Sequence, residues 1–229
     1  MDISKKARET SGMNPKGPRK NKPAPGKPLG AGHSSFDRID IARLFKDLGL
    51  GRGRSFLDIA CGRGPYVLAA AEVVGPEGRL YAVDLWKEGI SALKREARAR
   101  GLKNVAAEVA DAGREIPFPD ASADAALLAI VLHDLVEEGK EAKALRETAR
   151  VLKPGGRLAV VEFKKVESDT GPPKQVRLDP PAVQDMVAAF GFRKLRFRDL
   201  GPDLYYLIFE HGPEAEDRRS RRGRQGTRT

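Results

Sequence analysis

Two glycines one residue apart, Gly62 and Gly64, follow an apolar run containing Asp58 and precede Pro65 in the stretch FLDIACGRGPY, residues 56–66. A Gly-x-Gly turn has no side chains to keep a ligand from its backbone, and a helix starting behind it aims free N–H groups at the same spot. Asp84, Asp111 and His133 stand at the ends of three further apolar runs, RLYAVD, NVAAEVAD and AALLAIVL. A carboxylate so placed can accept hydrogen bonds from ribose hydroxyls, and an imidazole can move a proton near neutral pH. A dinucleotide turn would need a third glycine where Val67 stands, and no G-x-x-x-x-G-K-[ST] phosphate loop occurs in the chain. The spacing therefore favours a nucleoside ligand without a pyrophosphate over a nicotinamide dinucleotide or a nucleoside triphosphate. Cys61 lies inside the turn without an indicated partner base, and packing is its expected role.

These residues can meet only if the runs that carry them lie side by side. From residue 36 onward, apolar runs of about five residues alternate with helical stretches, the pattern of a parallel sheet covered on both faces. SFLDIA, RLYAVD, NVAAEVAD, AALLAIVL and RLAVVEF read as five strands, the fourth apolar on both faces and so central. Helices are expected over YVLAAAEVV, KEGISALKREARARG and 139–152, the last with Ala142, Leu145, Ala149 and Leu152 inward and KPGG as its stop. After the helix of DPPAVQDMVAAFGF, the runs RKLRFRDL and DLYYLIFEH are joined by GPD, too short for a parallel crossover, so they form an antiparallel hairpin. The fold class is thus α/β, a Rossmann-like doubly wound, seven-stranded and mostly parallel sheet ending in that hairpin. Residues 34–51 read as a helix over the carboxyl edge of the sheet. In such sheets ligands bind outside the carboxyl ends of the strands, where strand order reverses.

The chain has 229 residues and a formal net charge of +10, but the charge is uneven. Residues 1–33 hold eight Lys or Arg against two acids, residues 213–229 hold six Arg against three, and 34–212 is nearly neutral. The expected division is a basic disordered tail over 1–33, one folded domain over 34–212 and an Arg-rich disordered tail over 213–229. Basic tails bind polyanions weakly and without specificity, whereas the domain itself does not announce a nucleic-acid partner. A single cysteine excludes an internal disulfide and a multi-cysteine metal site and fits a reducing, cytoplasmic setting; no metal is expected. The longest apolar run is too short to span a bilayer.

Four stretches resemble the motifs of one family, the class I S-adenosylmethionine-dependent methyltransferases, and within it the small-molecule type that includes the ubiquinone/menaquinone biosynthesis methyltransferases. LDIACGRG is similar to the family's first motif, with Ala60 where a glycine is common, and AVDLW is similar to the second. ADAGREIPFPDASAD is similar to the third, and ALRETARVLKPGGRLAVVEF resembles the helix and strand after the fourth. The resemblance, over about residues 54–210, implies S-adenosylmethionine as cofactor. It implies that Ala60, Gly62 and Gly64 form its turn, Asp58 helps hold its amino-acid end, Asp84 takes the ribose and Leu85 packs on the adenine. Asp111 and Ala112 would meet the adenine edge, and Ile130 would complete the cofactor site.

Methyl transfer from a sulfonium is an in-line displacement that rests chiefly on orientation, and a base is required only for a neutral hydroxyl acceptor. His133 is the candidate base or substrate contact, its alternative being a polar cap bonded to backbone or to Asp134. Lys164, Lys165, Lys174 and Arg177, after the fifth strand, are candidates to meet an anionic acceptor. The expected function is transfer of a methyl group to a small molecule. An RNA or ribosomal-protein substrate engaged through the tails, and a non-catalytic cofactor-binding protein, are the alternatives.

Overall fold

The computed structural model describes residues 32–212, so the predicted tails, apart from Gly32 and His33, lie outside the described residues. The strands are β1 (Ser55–Ile59), β2 (Arg79–Asp84), β3 (Val105–Val109), β4 (Ala123–Ala129), β5 (Leu152–Phe163), β6 (Phe192–Asp199) and β7 (Leu204–His211). They form one sheet in the order β3-β2-β1-β4-β5-β7-β6. The first five are parallel, and β7 runs antiparallel between β5 and β6, so the predicted terminal hairpin is present. Strand order reverses between β1 and β4, which opens a crevice at their carboxyl ends.

The alternation of side chains across the pleat builds a core on each face. Leu57 and Ile59 of β1 join Leu128, Leu158 and Val160 beneath α5 (Glu141–Val151) and α6 (Pro180–Ala188). Phe56 joins Leu80, Leu127 and Val161 beneath α1 (Ile41–Leu48), α2 (Pro65–Val74) and α3 (Lys87–Ala99). Pro65 opens α2 directly after Gly64, where its missing N–H leaves no helical bond unmade.

Four expectations about the elements change. The stretch 34–51 is a 3-10 turn, Phe36–Arg38, followed by α1, which Asp40 caps by accepting from the Arg43 N–H. Only the 3-10 turn reaches the carboxyl edge, with Phe36 against the Tyr66 ring and Arg38 on Asp203. Helix α1 lies along a sheet face, its Asp47 accepting from the Tyr206 hydroxyl and Arg198. Second, the run AALLAIVL is not all strand, because β4 stops at Ala129 and α4 (Leu132–Glu137) begins within it. Leu132 and Leu135 of α4 are buried like the strand residues before them, so hydrophobicity continues across the junction.

Third, α5 is rotated from its expected face, with Ala144, Leu145, Thr148 and Val151 buried and Ala142 exposed. Fourth, KPGG does not merely stop α5 but belongs to β5, as does Leu152. Ala123 pairs with Leu152 and Ala125 with Arg157, so Lys153–Gly156 loop out opposite Asp124. Among the described residues no helix is long and apolar enough to cross a membrane.

Candidate active site

The turn between β1 and α2 is built from left-handed backbone, with φ +59° at Ala60, +58° at Gly62 and +72° at Gly64. The two glycines serve different ends. A Cβ on Gly62 would meet nothing within 4 Å, whereas one on Gly64 would lie 2.5 Å from Cδ1 of the buried Leu93. Gly62 keeps a space open, and Gly64 lets α3 pack against the turn.

That open space belongs to a cavity of about 640 Å³ at the carboxyl ends of β1, β2, β4 and β5. Ala60, Gly62, Asp84 and Leu85 line it, as do Asp111, Ala112, Ile130 and His133. Asp58 and Gly64 do not, and the direct ligand contacts expected of them are not what the geometry offers. Gly64 is filled by Leu93. Asp58 sits on the Phe56 face of β1, 1 % exposed, and its Oδ2 has no hydrogen-bond partner.

Burial, reinforced by the nearby Asp84, pushes the Asp58 carboxyl well above its ordinary value. A raised acid stabilises the fold fully below its unfolded pKa, here 3.8, and that contribution is lost as pH rises through the folded value. Asp58→Asn is therefore expected to gain about 1 kcal/mol, roughly 2–4 °C in Tm, at pH 8 and less at pH 5. Thermal melts at the two pH values test it, and an equal or greater loss of stability at pH 8 would contradict it.

Asp84 closes the cavity's edge. Its Oδ2 accepts from the Gly62 N–H at 2.7 Å and its Oδ1 from the Trp86 N–H at 2.6 Å. Burial outweighs these two bonds and raises its pKa, and each oxygen retains a lone pair. Leu85, beside it, is 48 % exposed on the cavity wall, a large apolar surface left for a flat apolar ligand group. Asp111 stands two residues past the end of β3 rather than at its last position, because its Oδ1 accepts from the Gly113 N–H to form a turn. Its Oδ2 accepts from Lys140 at 3.0 Å. Ile130, where β4 ends, is a β-branched residue at φ +51°, held there by its N–H on the Val161 carbonyl.

His133 lies in the first turn of α4, not at a strand end. Its Nδ1 is 2.8 Å from Glu162 Oε2, and its backbone N–H donates to Glu162 Oε1 at 3.1 Å. Burial opposes the charged imidazole, but Glu162 and then Asp134 and Glu137 outweigh it and raise its pKa. Sequence reasoning missed Glu162. The signal was an acid at the end of the apolar LAVVEF, where a buried strand segment has little reason to carry one unless it is paired.

The remaining wall comes from two loops. Arg38 and residues 32–34 line it from one side, Phe163 and Thr170–Pro173 from the other. Asp203 ties them together by accepting from both Arg38 and the Thr170 hydroxyl. The basic residues expected to meet an acceptor are otherwise engaged. Arg177 is 2 % exposed and its guanidinium donates to the carbonyls of Lys164, Val166, Ser168, Thr170 and Pro172. Lys164 binds Asp199, Lys174 binds Glu167, and Lys165 is exposed away from the cavity.

This arrangement fits S-adenosylmethionine. Asp84 at the turn suits a cation, Asp84 and Asp111 offer acceptors to hydroxyl and amine groups, and Leu85 offers an apolar face. The profile of a family described as a methyltransferase domain matches residues 56–156. A demethylmenaquinone methyltransferase of Geobacillus stearothermophilus is 34 % identical over 119 residues, 52 % of this chain and 48 % of that protein. The ubiquinone/menaquinone biosynthesis C-methyltransferase UbiE of Pasteurella multocida is 32 % identical over 117 residues, 51 % of this chain and 42 % of that protein. The chain thus spans about half the length of the curated relatives it matches. Among solved structures, a SAM dependent methyltransferase from Aquifex aeolicus superposes with a TM-score of 0.70 at 29 % identity, covering 77 % of this chain and 92 % of that one. The chain is thus similar to S-adenosylmethionine-dependent methyltransferases, matching the methyltransferase-domain profile over residues 56–156 and superposing over most of its length on the Aquifex aeolicus structure.

Proposed function

We propose that the protein transfers a methyl group from S-adenosylmethionine to a small-molecule acceptor of the quinol class. The observation that carries this reading is one cavity that runs from the carboxyl ends of β3, β2 and β1 to those of β4 and β5, so that two sets of residues face it from either side of the strand-order reversal. One half presents Gly62, Asp84, Leu85 and Asp111; the other presents His133, Phe163 and Thr170–Pro173. Bound in the first half, S-adenosylmethionine supplies an electrophilic methyl carbon on a sulfonium. Asp84 holds the ribose hydroxyls with the lone pairs its two amide bonds leave free. Asp111 accepts from the adenine amine, the Ala112 N–H meets the ring edge, and Leu85 covers the ring face. Ala60 and Ile130 bring their backbones close to the ligand between these groups, while Asp58 stays buried beneath the turn.

The second half orients the acceptor. Phe163 and Pro172 give it apolar walls, and the two loops joined through Asp203 exclude water from the reacting atoms. The names of the relatives from Geobacillus stearothermophilus and Pasteurella multocida support a quinol as the acceptor.

Calorimetric titration with S-adenosylmethionine and with its demethylated product tests the donor half. Dissociation constants of micromolar order are expected for both. Absence of binding to either by the folded protein would overturn the proposal.

A further inference from the structure

The half of the cavity facing the acceptor contains a buried pair that donor binding does not use. Glu162 is fully buried at the end of β5, and three N–H groups converge on it: the His133 ring, the His133 backbone at 3.1 Å and the Phe163 backbone at 3.3 Å. A carboxylate accepts hydrogen bonds and cannot donate one, so the ring nitrogen 2.8 Å away carries the hydrogen. That fixes Nδ1 as the protonated nitrogen of the neutral ring. Nε2 is then the basic nitrogen. It lies 3.4 Å from Asp134 Oδ1, and His133 and Asp134 both line the cavity.

The charges around it restrict what can approach. Asp134 and Glu137 of α4 line this side, together with Glu138, whose charge Lys140 offsets at 2.8 Å. Arg38 is the one guanidinium on the wall among the described residues, and it is committed to Asp203 across the Phe163 ring. An acceptor already carrying negative charge would meet acids without a free cation to offset them. A neutral acceptor with an ionisable O–H meets an acceptor nitrogen instead.

Resting on the methyltransferase reading above, we propose that His133 is a general base held by Glu162 as its positioning residue, and that the acceptor enters as a neutral phenol or hydroquinone. The hydroxyl proton passes to His133 Nε2, and the imidazolium formed is stabilised by Glu162. The electron density released drives formation of a bond from the acceptor's oxygen, or from the ring carbon conjugated with it, to the methyl carbon. The C–S bond breaks as this bond forms, its electron pair staying on sulfur. If carbon is methylated, loss of the ring hydrogen as a proton restores the aromatic system. One methyl group is gained by the acceptor and one proton is released overall.

Two readouts test this. The first needs no acceptor: 15N NMR of labelled imidazole rings, the chain having three histidines, with the His133 signals assigned from a His133→Asn sample. The wild-type neutral ring is expected to be protonated at Nδ1. In Glu162→Gln the carboxamide can turn its NH2 toward Nδ1, moving the ring hydrogen to Nε2. The charged groups acting on this titration are Glu162 from β5 and Asp134 and Glu137 from α4. Removing the Glu162 charge lowers the midpoint. A wild-type ring protonated at Nε2 would overturn the assignment.

The second readout compares two acceptors under anaerobic conditions, each with labelled methyl donor. One is 1,4-naphthohydroquinone, neutral at pH 7; the other is 2-hydroxy-1,4-naphthoquinone, whose hydroxyl is already ionised there. With the hydroquinone, wild-type kcat rises with pH through the raised His133 value and then levels off, as required of a base that must be neutral. Glu162→Gln is expected to lower kcat about 100-fold or more, within the range that general bases contribute. With the ionised acceptor, wild type shows a higher KM, and Glu162→Gln changes kcat by less than about 5-fold. Equal losses with both acceptors, or no turnover of the hydroquinone by wild type that binds S-adenosylmethionine, would overturn the dyad. Failure of wild type to bind S-adenosylmethionine would instead sink the methyltransferase reading, and the tautomer would still be decided by NMR.

Discussion

Asp84→Ala is expected to weaken binding of S-adenosylmethionine about 100-fold, about 2.7 kcal/mol, while changing the melting temperature little. The carboxylate accepts from two backbone N–H groups that shape the turn, Gly62 and Trp86, and offers its remaining lone pairs to a ligand. A hydrogen bond to a charged group contributes about 1.5–3 kcal/mol net, so losing the ligand's bonds together with the turn's tether produces a loss of this size. Stability behaves differently because Asp84 is itself raised by burial and in turn raises Asp58. Removing it leaves two amides without their acceptor but relieves a neighbouring buried acid, and the two effects oppose each other. Calorimetry and thermal melts on the same variant separate them. A fall in affinity below about 5-fold would contradict the ribose assignment, and a large fall in Tm would assign Asp84 to the fold rather than to the ligand.

The second expected result concerns a glycine outside the cavity. Gly89 is in the first turn of α3, where replacement by alanine ordinarily stabilises a helix by about 1 kcal/mol. Here a Cβ would lie 2.6 Å from the Gly62 carbonyl oxygen and 2.6 Å from Cε3 of Trp86. Neither neighbour is the loose end of a flexible chain, since one is backbone and the other a ring that is 7 % exposed. Overpacking of this kind costs about 1–3 kcal/mol. Gly89→Ala is therefore expected to lower Tm by about 5 °C and to weaken the methyl donor about 10-fold or more by displacing the Gly62 carbonyl. Differential scanning fluorimetry and calorimetry check both numbers, and a rise in Tm would show that the turn yields freely.

The contrast between Gly62 and Gly89 marks what a sequence discloses. The positions of Gly62 and Asp84 were legible because strand ends follow from local signals, an apolar run, an acid and a turn, whereas Asp111 falls two residues past β3. The terminal hairpin was legible from the short GPD link, a constraint on chain length alone. The role of Gly89 depends on α3 meeting a turn from another part of the chain, and nothing near residue 89 records it. Gly64 was legible as a turn residue, yet its reason is Leu93, another long-range neighbour. His133 was found as a candidate, but its partner Glu162 is 29 positions away on a strand whose hydrophobicity spoke only of burial. The junction of β4 with α4 was lost because both sides are buried, so no change in pattern marks it. The readings that depended on the two tails concern residues outside 32–212.

Arg177 bears on how such a protein changes over time. Its guanidinium gathers carbonyl oxygens from Lys164 to Pro172 and stacks on Phe163 at 5.4 Å. Because it grips the main chain, the path of this loop over the cavity depends on few of the loop's own side chains, chiefly the Thr170 hydroxyl on Asp203 and the bare Gly171, where a Cβ would collide with the Phe163 ring. Positions such as Pro172 and Pro173 on the cavity wall can be exchanged while the path persists. A buried cation thereby separates the shape of the cover from its chemistry, so that new acceptors can be explored one side chain at a time without rebuilding the fold beneath.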